Sequence, residues 1–212
     1  MKVLVVAADA MEFRAIPRRK DLVLRANGVG AMRAAAAVDA ALQAFQPDAV
    51  VSTGFCGAVD PEMKVGDVVV ATEVAAGERR FASAPVATQG PRRCAKGVVV
   101  SIDHVAQTAA EKARLYAGGA IAVEMEARGV AERATAYGLP FYCIKVVTDL
   151  AGEDMANDFN SALRPDGHFA TIGIFNSSLR KPFTRIPELI RLRLRCARAA
   201  VLLGEFIADC RF

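Results

Sequence analysis

Three observations predict an α/β fold built on a mainly parallel sheet. Short apolar runs (Lys2 to Ala8, Asp48 to Thr53, Gly97 to Ile102, Ala120 to Val123, Phe141 to Val147) alternate with helix-like segments. That order gives crossover connections and a sheet covered on both faces. Several runs then close in acids or small residues: Glu12, Thr53-Gly54, Glu124 with Glu126, and Thr148-Asp149. In open α/β sheets, ligands bind beyond the carboxyl ends of the strands. Finally, the 212 residues are 53% hydrophobic, enough for one large α/β domain spanning 1–212, whose part from 154 onward reads as helical.

Lys2 to Ala8 is a buried strand. Asp9 to Ile16 turns helical and stops near Pro17, which leaves Glu12 just past the strand's end. Val23-Leu24 opens a second strand, and Asn27-Gly28-Val29-Gly30 leads into a helix from Ala31 to Phe45. A Gly-x-Gly between strand and helix lets a phosphate or sugar approach backbone N–H groups. It lacks the third glycine and the distant acid of a dinucleotide site, so alone it is a weak signal. Arg33, just after it, either reaches an anion or stands in solvent.

The next strand, Asp48 to Thr53, runs into Thr53-Gly54-Phe55-Cys56-Gly57-Ala58. Gly54 and Gly57 there permit a tight turn against a ligand. Val68 to Ala71 is a short strand, and Ala75 to Lys96, with Gly77, Pro85, Gly90 and Pro91, is a poorly patterned surface connector. After the strand ending at Asp103, Thr108 and Glu111 form a capping box for a short helix. The Ala120 run enters Val123-Glu124-Met125-Glu126 and a helix from Met125, which stops at Gly138-Leu139-Pro140. Phe141 to Val147 is the last strand, with Thr148-Asp149 at its end. Beyond it come a turn at Arg164-Pro165-Asp166-Gly167, a helix near His168 to Leu179 and a long helix from Pro187 to Phe206. On the last, Ile190, Leu194, Ala197 and Val201 share a face beside a stripe of Arg191, Arg195 and Arg198. The stripe is either the solvated side of a helix packed on the sheet or a contact with an anionic membrane surface or partner.

The formal charge of +4 is mild and gives no nucleic-acid footprint. Five cysteines, odd in number and without metal-ligand spacing, indicate a reduced, cytoplasmic setting. No signal peptide and no membrane-spanning stretch is expected. His104 and His168 are isolated, and each fits a polar surface role, although His104 follows a strand end near the proposed cleft. Cys56 reads as a small packing residue. Glu124 and Glu126 fit either a ligand site or an ordinary helix start, since acids suit a helix N-terminus. Several acids in one cleft raise one another's pKa values and make acid/base work possible near neutral pH. Such a set fits cleavage at a sugar carbon through an oxocarbenium-like state, and it also fits a magnesium site.

Six segments in order, Ala8-Asp9-Ala10-Met11-Glu12-Phe13, Asn27-Gly28-Val29-Gly30, Ser52 to Ala58, Lys64-Val65-Gly66-Asp67, Ala122 to Ala127 and Val147-Thr148-Asp149, resemble the nucleoside phosphorylase and nucleosidase superfamily. That family includes the methylthioadenosine/S-adenosylhomocysteine nucleosidases. The resemblance runs to about residue 152, with a shorter connector than those enzymes have. The Ser101-Ile102-Asp103-His104 stretch, the Thr108-to-Leu115 helix and the tail resemble more closely the hopanoid-associated phosphorylases, some of which act as adenosylhopane nucleosidases.

The resemblance implies a three-layer α/β/α fold around a central mixed, mainly parallel, partly barrel-like sheet. It implies that Glu12 activates the attacking water, that Glu126 grips the ribose hydroxyls with Met125 packed on the sugar, and that Asp149 protonates or hydrogen-bonds N7 of a purine. Gly54, Phe55, Cys56, Gly57 and Thr148 line the substrate site, and the backbone near Val105 approaches the base. Val105 stands where an aromatic residue often stacks on the purine, and Phe55 where nucleosidases often have a serine. Being two apart, Glu124 and Glu126 face different ways on an extended segment, so Glu124 is expected as a supporting residue at the rim. Phosphorylases carry a phosphate-binding arginine just before the glycine-rich turn, where this chain has Ser52-Thr53. A dianion without a fixed cation is costly to bury. Hydrolysis of a 5′-substituted adenosine is therefore expected; the alternatives are phosphorolysis and a non-catalytic nucleoside-binding or membrane-associated module. The family also implies a homodimer and no metal or organic cofactor.

Overall fold

Among the described residues of the computed structural model (1–90, 92–170, 173–174 and 178–212), the apolar runs form a mixed sheet. Its strands are β1 (Val3–Ala7), β2 (Leu22–Ala26), β3 (Ala49–Ala58), β4 (Val68–Ala76), β5 (Arg79–Ala82), β7 (Ala95–Ser101), β8 (Ala120–Glu124) and β9 (Phe141–Asp149). The order is β2-β1-β3-β8-β7-β4-β5, and β9 pairs with both β3 and β4. Strands β3, β8, β7, β4 and β9 therefore close on themselves as a barrel, with β1 and β2 extending from β3. The pairs β3–β8, β4–β9 and β4–β5 are antiparallel, and the others in this sheet are parallel. Closure buries both faces of a strand, which is why β3 and β9 read as continuous apolar runs rather than alternating ones.

Helices cover the sheet from two sides. On one, α1 (Ala31–Ala44) and α3 (Ala127–Ala136) pack Ala34, Val38 and Ala41 with Val130, Ala131 and Ala134 against Leu4, Val6 and Val50. The two helices touch at Gly129, where a Cβ would lie 1.8 Å from the Ala31 carbonyl oxygen. On the other side the long helix α5 (Pro182–Asp209) sets Ala199, Leu203, Phe206 and Ile207 against Val3, Val5, Val70, Ile144 and Val146. Helix α2 (Ala109–Ala117) lies beside β8, and α4 (Phe159–Ala162) follows β9. A second sheet pairs β6 (Ala87–Thr88) with β10 (Cys210–Arg211), tying the chain's end to the connector.

The structure corrects several expectations. β3 does not turn at Thr53-Gly54 but runs on to Ala58. β4 extends to Ala76 and returns as β5, so the connector from Ala75 to Lys96 holds a hairpin arm and β6; Pro91 lies outside the described residues. Asp9 to Ile16 yields only the 3-10 turn Ala10–Phe13. α3 starts at Ala127, with Glu126 as its N-cap, rather than at Met125. Much of the helix expected from His168 to Leu179 falls on residues 171–172 and 175–177, outside the described set.

α5 is longer than expected and presents the opposite face to the core. Ile190 (57%), Leu194 (60%) and Val201 (41%) are exposed, while Ala199, Leu203 and Ile207 are buried. The helix carries two apolar stripes, and the sheet takes the one richer in small residues. Within the expected basic stripe, Arg195 is held by Glu153 at 2.7 and 2.9 Å.

Candidate active site

The strand ends converge on one cavity of about 570 Å³. Its lining includes Glu12, Phe55, Cys56, Gly57, Val105, Glu124, Met125, Glu126, Thr148 and Asp149. Of the site residues expected from sequence, Gly54 alone does not line the cavity, and it acts one layer behind.

Glu12 sits in the 3-10 turn after β1, and its carboxylate folds back on the chain. Oε2 accepts the backbone N–H groups of Ala8 (2.8 Å) and Asp9 (2.9 Å), and Oε1 accepts that of Phe55 (2.8 Å). Asp9 closes the turn by accepting the N–H of Met11. Burial pushes the Glu12 carboxyl above its ordinary pKa, against the backbone N–H groups and Lys145, which favour the ionised form. The glycines of β3 make room for the acids. A Cβ on Gly54 would meet Glu12 Oε1 at 2.5 Å, and one on Gly57 would meet Asp149 Oδ2 at 2.8 Å. Gly54 also has a φ of +118°, closed to most other residues. These glycines thus serve close packing of carboxylates on a strand, not the turn inferred from sequence.

Glu124 and Glu126 do not diverge as an extended segment would have them. Glu126 has left the strand (φ −112°, ψ −35°), and both acids reach the same cation. Lys145, on β9 and fully buried, places Nζ 2.8 Å from Glu124 Oε2, 3.9 Å from Glu126 Oε2 and 2.9 Å from the Thr53 carbonyl oxygen. Glu124 Oε2 also accepts the N–H groups of Glu126 and Ala127 at the start of α3. Glu124 is therefore not at the rim: it is 5% exposed and braces the floor. Glu126 Oε1 accepts the N–H of Gly30 at 2.9 Å. Burial first, then the negative charges of Glu124 and Glu12, lift Glu126 to about 7 against the pull of Lys145. Lys145 itself is held protonated, because Glu124 and Glu126 outweigh its desolvation.

At the end of β9, Asp149 Oδ2 pairs with Lys112 Nζ at 2.5 Å, and Oδ1 accepts the Thr148 hydroxyl at 3.2 Å. Burial raises the Asp149 carboxyl above its ordinary value, and Lys112 opposes that rise. Lys112, on α2, is fully buried. Neither lysine was singled out from sequence. Lys145 is one charge inside an apolar run, and Lys112 lies on a helix of ordinary polarity.

The Asn27-to-Gly30 turn offers no open anion cradle. The N–H of Gly28 goes to the Ala8 carbonyl, that of Val29 to the Gly167 carbonyl (2.7 Å) and that of Gly30 to Glu126. Arg33 donates to the Pro165 carbonyl at 2.9 Å. The 164–167 turn thus closes over this corner. His104 has both roles weighed from sequence. It lines the cavity mouth, half-exposed, and bonds Asp103 (2.8 Å) and Glu111 (2.6 Å); both contacts raise its pKa. Glu111 is consequently spent on His104, and only the Thr108 half of the α2 capping box forms. Cys56 is buried, and its thiol is pushed well up by burial, so it packs rather than reacts. A magnesium ion is a poor fit, because Glu12 and Glu124 already spend oxygens on backbone N–H groups and Lys145; among the described residues no His, Cys, Asp and Glu cluster has metal-site geometry. Met155, Phe159, Phe169 and Leu192 complete the apolar wall. Sequence reasoning missed the first three because they come from the irregular segment after β9, and Leu192 because it lies off the apolar face expected for the long helix.

Comparison with known proteins returns the same outline. The model of the phosphorylase superfamily matches residues 16–94 and 76–166. A 5′-methylthioadenosine/S-adenosylhomocysteine nucleosidase of a Marinomonas species is 30% identical over 173 residues, covering 68% of this chain and 75% of the relative. One of Chromohalobacter salexigens is 28% identical over 169 residues, 66% of this chain and 72% of the relative. In fold, the chain is similar to the Neisseria meningitidis nucleosidase of that name in complex with methylthio-immucillin-A (TM-score 0.68, 22% identity, 98% and 97% of the two chains). It is likewise similar to futalosine hydrolase of Helicobacter pylori (TM-score 0.70, 13% identity, 98% and 96%).

Proposed function

The chain belongs to the phosphorylase superfamily, and on that premise we propose that it is a nucleosidase that hydrolyses the N-glycosidic bond of a 5′-substituted adenosine and releases adenine. One observation carries the reading. Glu12, Glu126 and Asp149 meet in a single cavity, and no lysine or arginine is among the described residues lining it. Both buried lysines behind it are already bonded to carboxylates. Phosphate would bring two or more charges into a pocket walled by acids, whereas water brings none.

In this mechanism Glu126 accepts the ribose hydroxyls and Met125 packs on the sugar. Glu12, positioned by three backbone N–H groups, takes the proton from water as it attacks C1′. Positive charge growing on the sugar ring is favoured by the surrounding carboxylates. Asp149 gives N7 a proton as the C1′–N9 bond breaks. Met155, Phe159, Phe169 and Leu192 suit an apolar 5′ substituent. Methylthioadenosine, S-adenosylhomocysteine and adenosylhopane-type nucleosides are the candidates.

A homodimer belongs to the same reading, as does a reduced, cytoplasmic setting, which suits five free cysteines. So does peripheral membrane contact. Phe183, Ile190, Leu194 and Val201 point outward from α5 beside the exposed Arg191 and Arg198, a pairing that suits an anionic bilayer surface. Flotation with anionic vesicles tests it, and failure to float removes it.

The deciding experiment follows base release from each candidate nucleoside, with and without phosphate. Adenine release independent of phosphate is expected. Turnover that requires phosphate and yields a sugar 1-phosphate would make the protein a phosphorylase. Tight nucleoside binding without any base release would make it a non-catalytic module.

A further inference from the structure

We propose that Lys112 is the positioning partner of Asp149, holding its carboxyl in place and supplying it with the proton that the departing purine takes up. The inference rests on the nucleosidase reading above. Lys112 reaches from α2 across to the end of β9, where Nζ donates to Asp149 Oδ2 at 2.5 Å and to the Leu150 carbonyl oxygen at 2.8 Å. Its side chain is fully buried, and Lys112 does not line the cavity, whereas Asp149 does. A buried ammonium is costly unless something requires it. This one is spent on the single carboxyl that faces the leaving group.

Breaking the C1′–N9 bond drives electrons onto the purine and makes N7 a strong base. A carboxylate kept ionised by a fixed cation has no proton to give, and an ammonium sealed behind the wall cannot touch N7. Together the two hold one mobile proton. Substrate covers the cavity-facing edge of Asp149, the one part of the pair that solvent still reaches, and the charge-separated pair loses that last support. The Nζ–H bond then breaks and the Asp149 Oδ2–H bond forms, leaving a neutral amine and a neutral carboxyl. The carboxyl proton passes to N7 as the C1′–N9 electron pair departs on the purine. Water gives its hydroxyl to C1′ and its proton to Glu12. After adenine leaves, Glu12 gives that proton to solvent, and Asp149 takes one from water in the cavity and passes it back to Lys112.

The other groups facing the pair are already matched. Glu153 is engaged by Arg195. The Cys56 and Cys196 thiols are kept neutral by burial, the latter pushed up to about 12.

The test compares two substrates. Methylthioadenosine needs a proton on its leaving group, whereas the 4-nitrophenyl glycoside of 5-methylthioribose expels a stable phenolate and needs none. In Lys112→Met, kcat for methylthioadenosine should fall about 100-fold or more, the range of general-acid catalysis, with KM held within about threefold. The nitrophenyl glycoside should lose less than about fivefold on the same reasoning. Lys112→Arg keeps the charge but cannot release a proton, so it should retain the fold, as judged by thermal melting, and still show the split. Equal losses on both substrates, or full adenine release by Lys112→Arg, would overturn the proposal. Wild-type protein inactive on methylthioadenosine, S-adenosylhomocysteine and adenosylhopane-type nucleosides alike would instead overturn the nucleosidase reading itself.

Discussion

The Gly54 α-carbon lies so close to the Glu12 carboxylate that a Cβ there would stand 2.5 Å from Oε1. Gly57 bears the same relation to Asp149, at 2.8 Å from Oδ2. One strand therefore seats two proposed catalytic acids directly on its backbone, three residues apart. This explains why β3 carries glycines through the middle of a buried barrel strand, where they otherwise weaken a sheet.

The two glycines should be separable by substitution. Gly57 has no positive φ, so Gly57→Ala adds no backbone strain; it crowds Asp149 and, less tightly, Val123 at 3.3 Å. It should lower kcat by about tenfold or more through a misplaced donor, with a small change in melting temperature. Gly54→Ala adds a left-handed φ of +118° to its clash with Glu12. It should cost about 1–3 kcal/mol of stability as well as activity. Paired thermal melts and kcat measurements check this, and equal destabilisation by both variants would refute it.

Glu12 is buried, and its carboxyl is raised above the ordinary range by desolvation. Its ionised form thus opposes stability while fitting the proposed activation of water, a trade-off common at active sites. Glu12→Gln keeps the shape and removes the charge. kcat should fall by about 10²–10⁴, with KM little changed, because water activation is lost and sugar binding is not. The amide keeps one acceptor oxygen, so its NH2 must face at least one of the three N–H donors. That loss of about 1–3 kcal/mol offsets the relief of the buried charge, and the melting temperature should fall by no more than a few degrees. A rise in melting temperature would mean that burial of the charge outweighs the hydrogen bonds that hold it.

Glu126 should set the acid limb of the pH profile. Its pKa is raised to about 7 by burial and by Glu124 and Glu12. Below that pH it is protonated and accepts hydroxyls poorly; above it both oxygens are acceptors. kcat/KM should therefore climb about tenfold per pH unit up to about 7 and then level off. The stability sign is opposite. An unfolded glutamate titrates near 4.5, so between about 4.5 and 7 the folded chain holds the extra proton. This group's stabilising contribution is complete below 4.5 and is lost as pH rises through 7. Melts of wild type against Glu126→Gln across that window isolate the term, and parallel curves would count against it.

That Glu12, Glu126 and Asp149 would share one cavity was legible in sequence, because Glu126 and Asp149 close apolar runs, Glu12 follows just past the end of another, and strand ends in α/β folds gather at one edge. Lys145 was not, because it lies inside such a run. Only closure of the barrel, with β9 paired to both β3 and β4, turns its side chain into a buried interior where Glu124 waits. Lys112 was illegible for a related reason: α2 is short and of mixed polarity, and its inward face depends on where β9 ends. The buried side of α5 was misread because Ile190 and Leu194 satisfy helical periodicity as well as Leu203 and Ile207 do. Periodicity finds an apolar stripe but cannot say which of two stripes meets the sheet.

Lys145 is the residue on which the cluster's stability should turn. It is the one buried cation among Glu12, Glu124 and Glu126, and it also donates to the Thr53 carbonyl inside the barrel. Lys145→Met keeps much of the volume but leaves Glu124 buried without a counter-charge. Breaking a buried pair from one side typically costs about 3–5 kcal/mol, which for a chain of this size is on the order of 10 °C in melting temperature. Glu124→Gln in the same chain removes the orphaned charge and should recover part of the loss. Glu124→Gln alone should be milder, because its amide oxygen can still accept the Glu126 and Ala127 N–H groups at the start of α3. A double mutant no more stable than Lys145→Met would show that the lysine acts through packing and its bond to Thr53 rather than through the acids it faces.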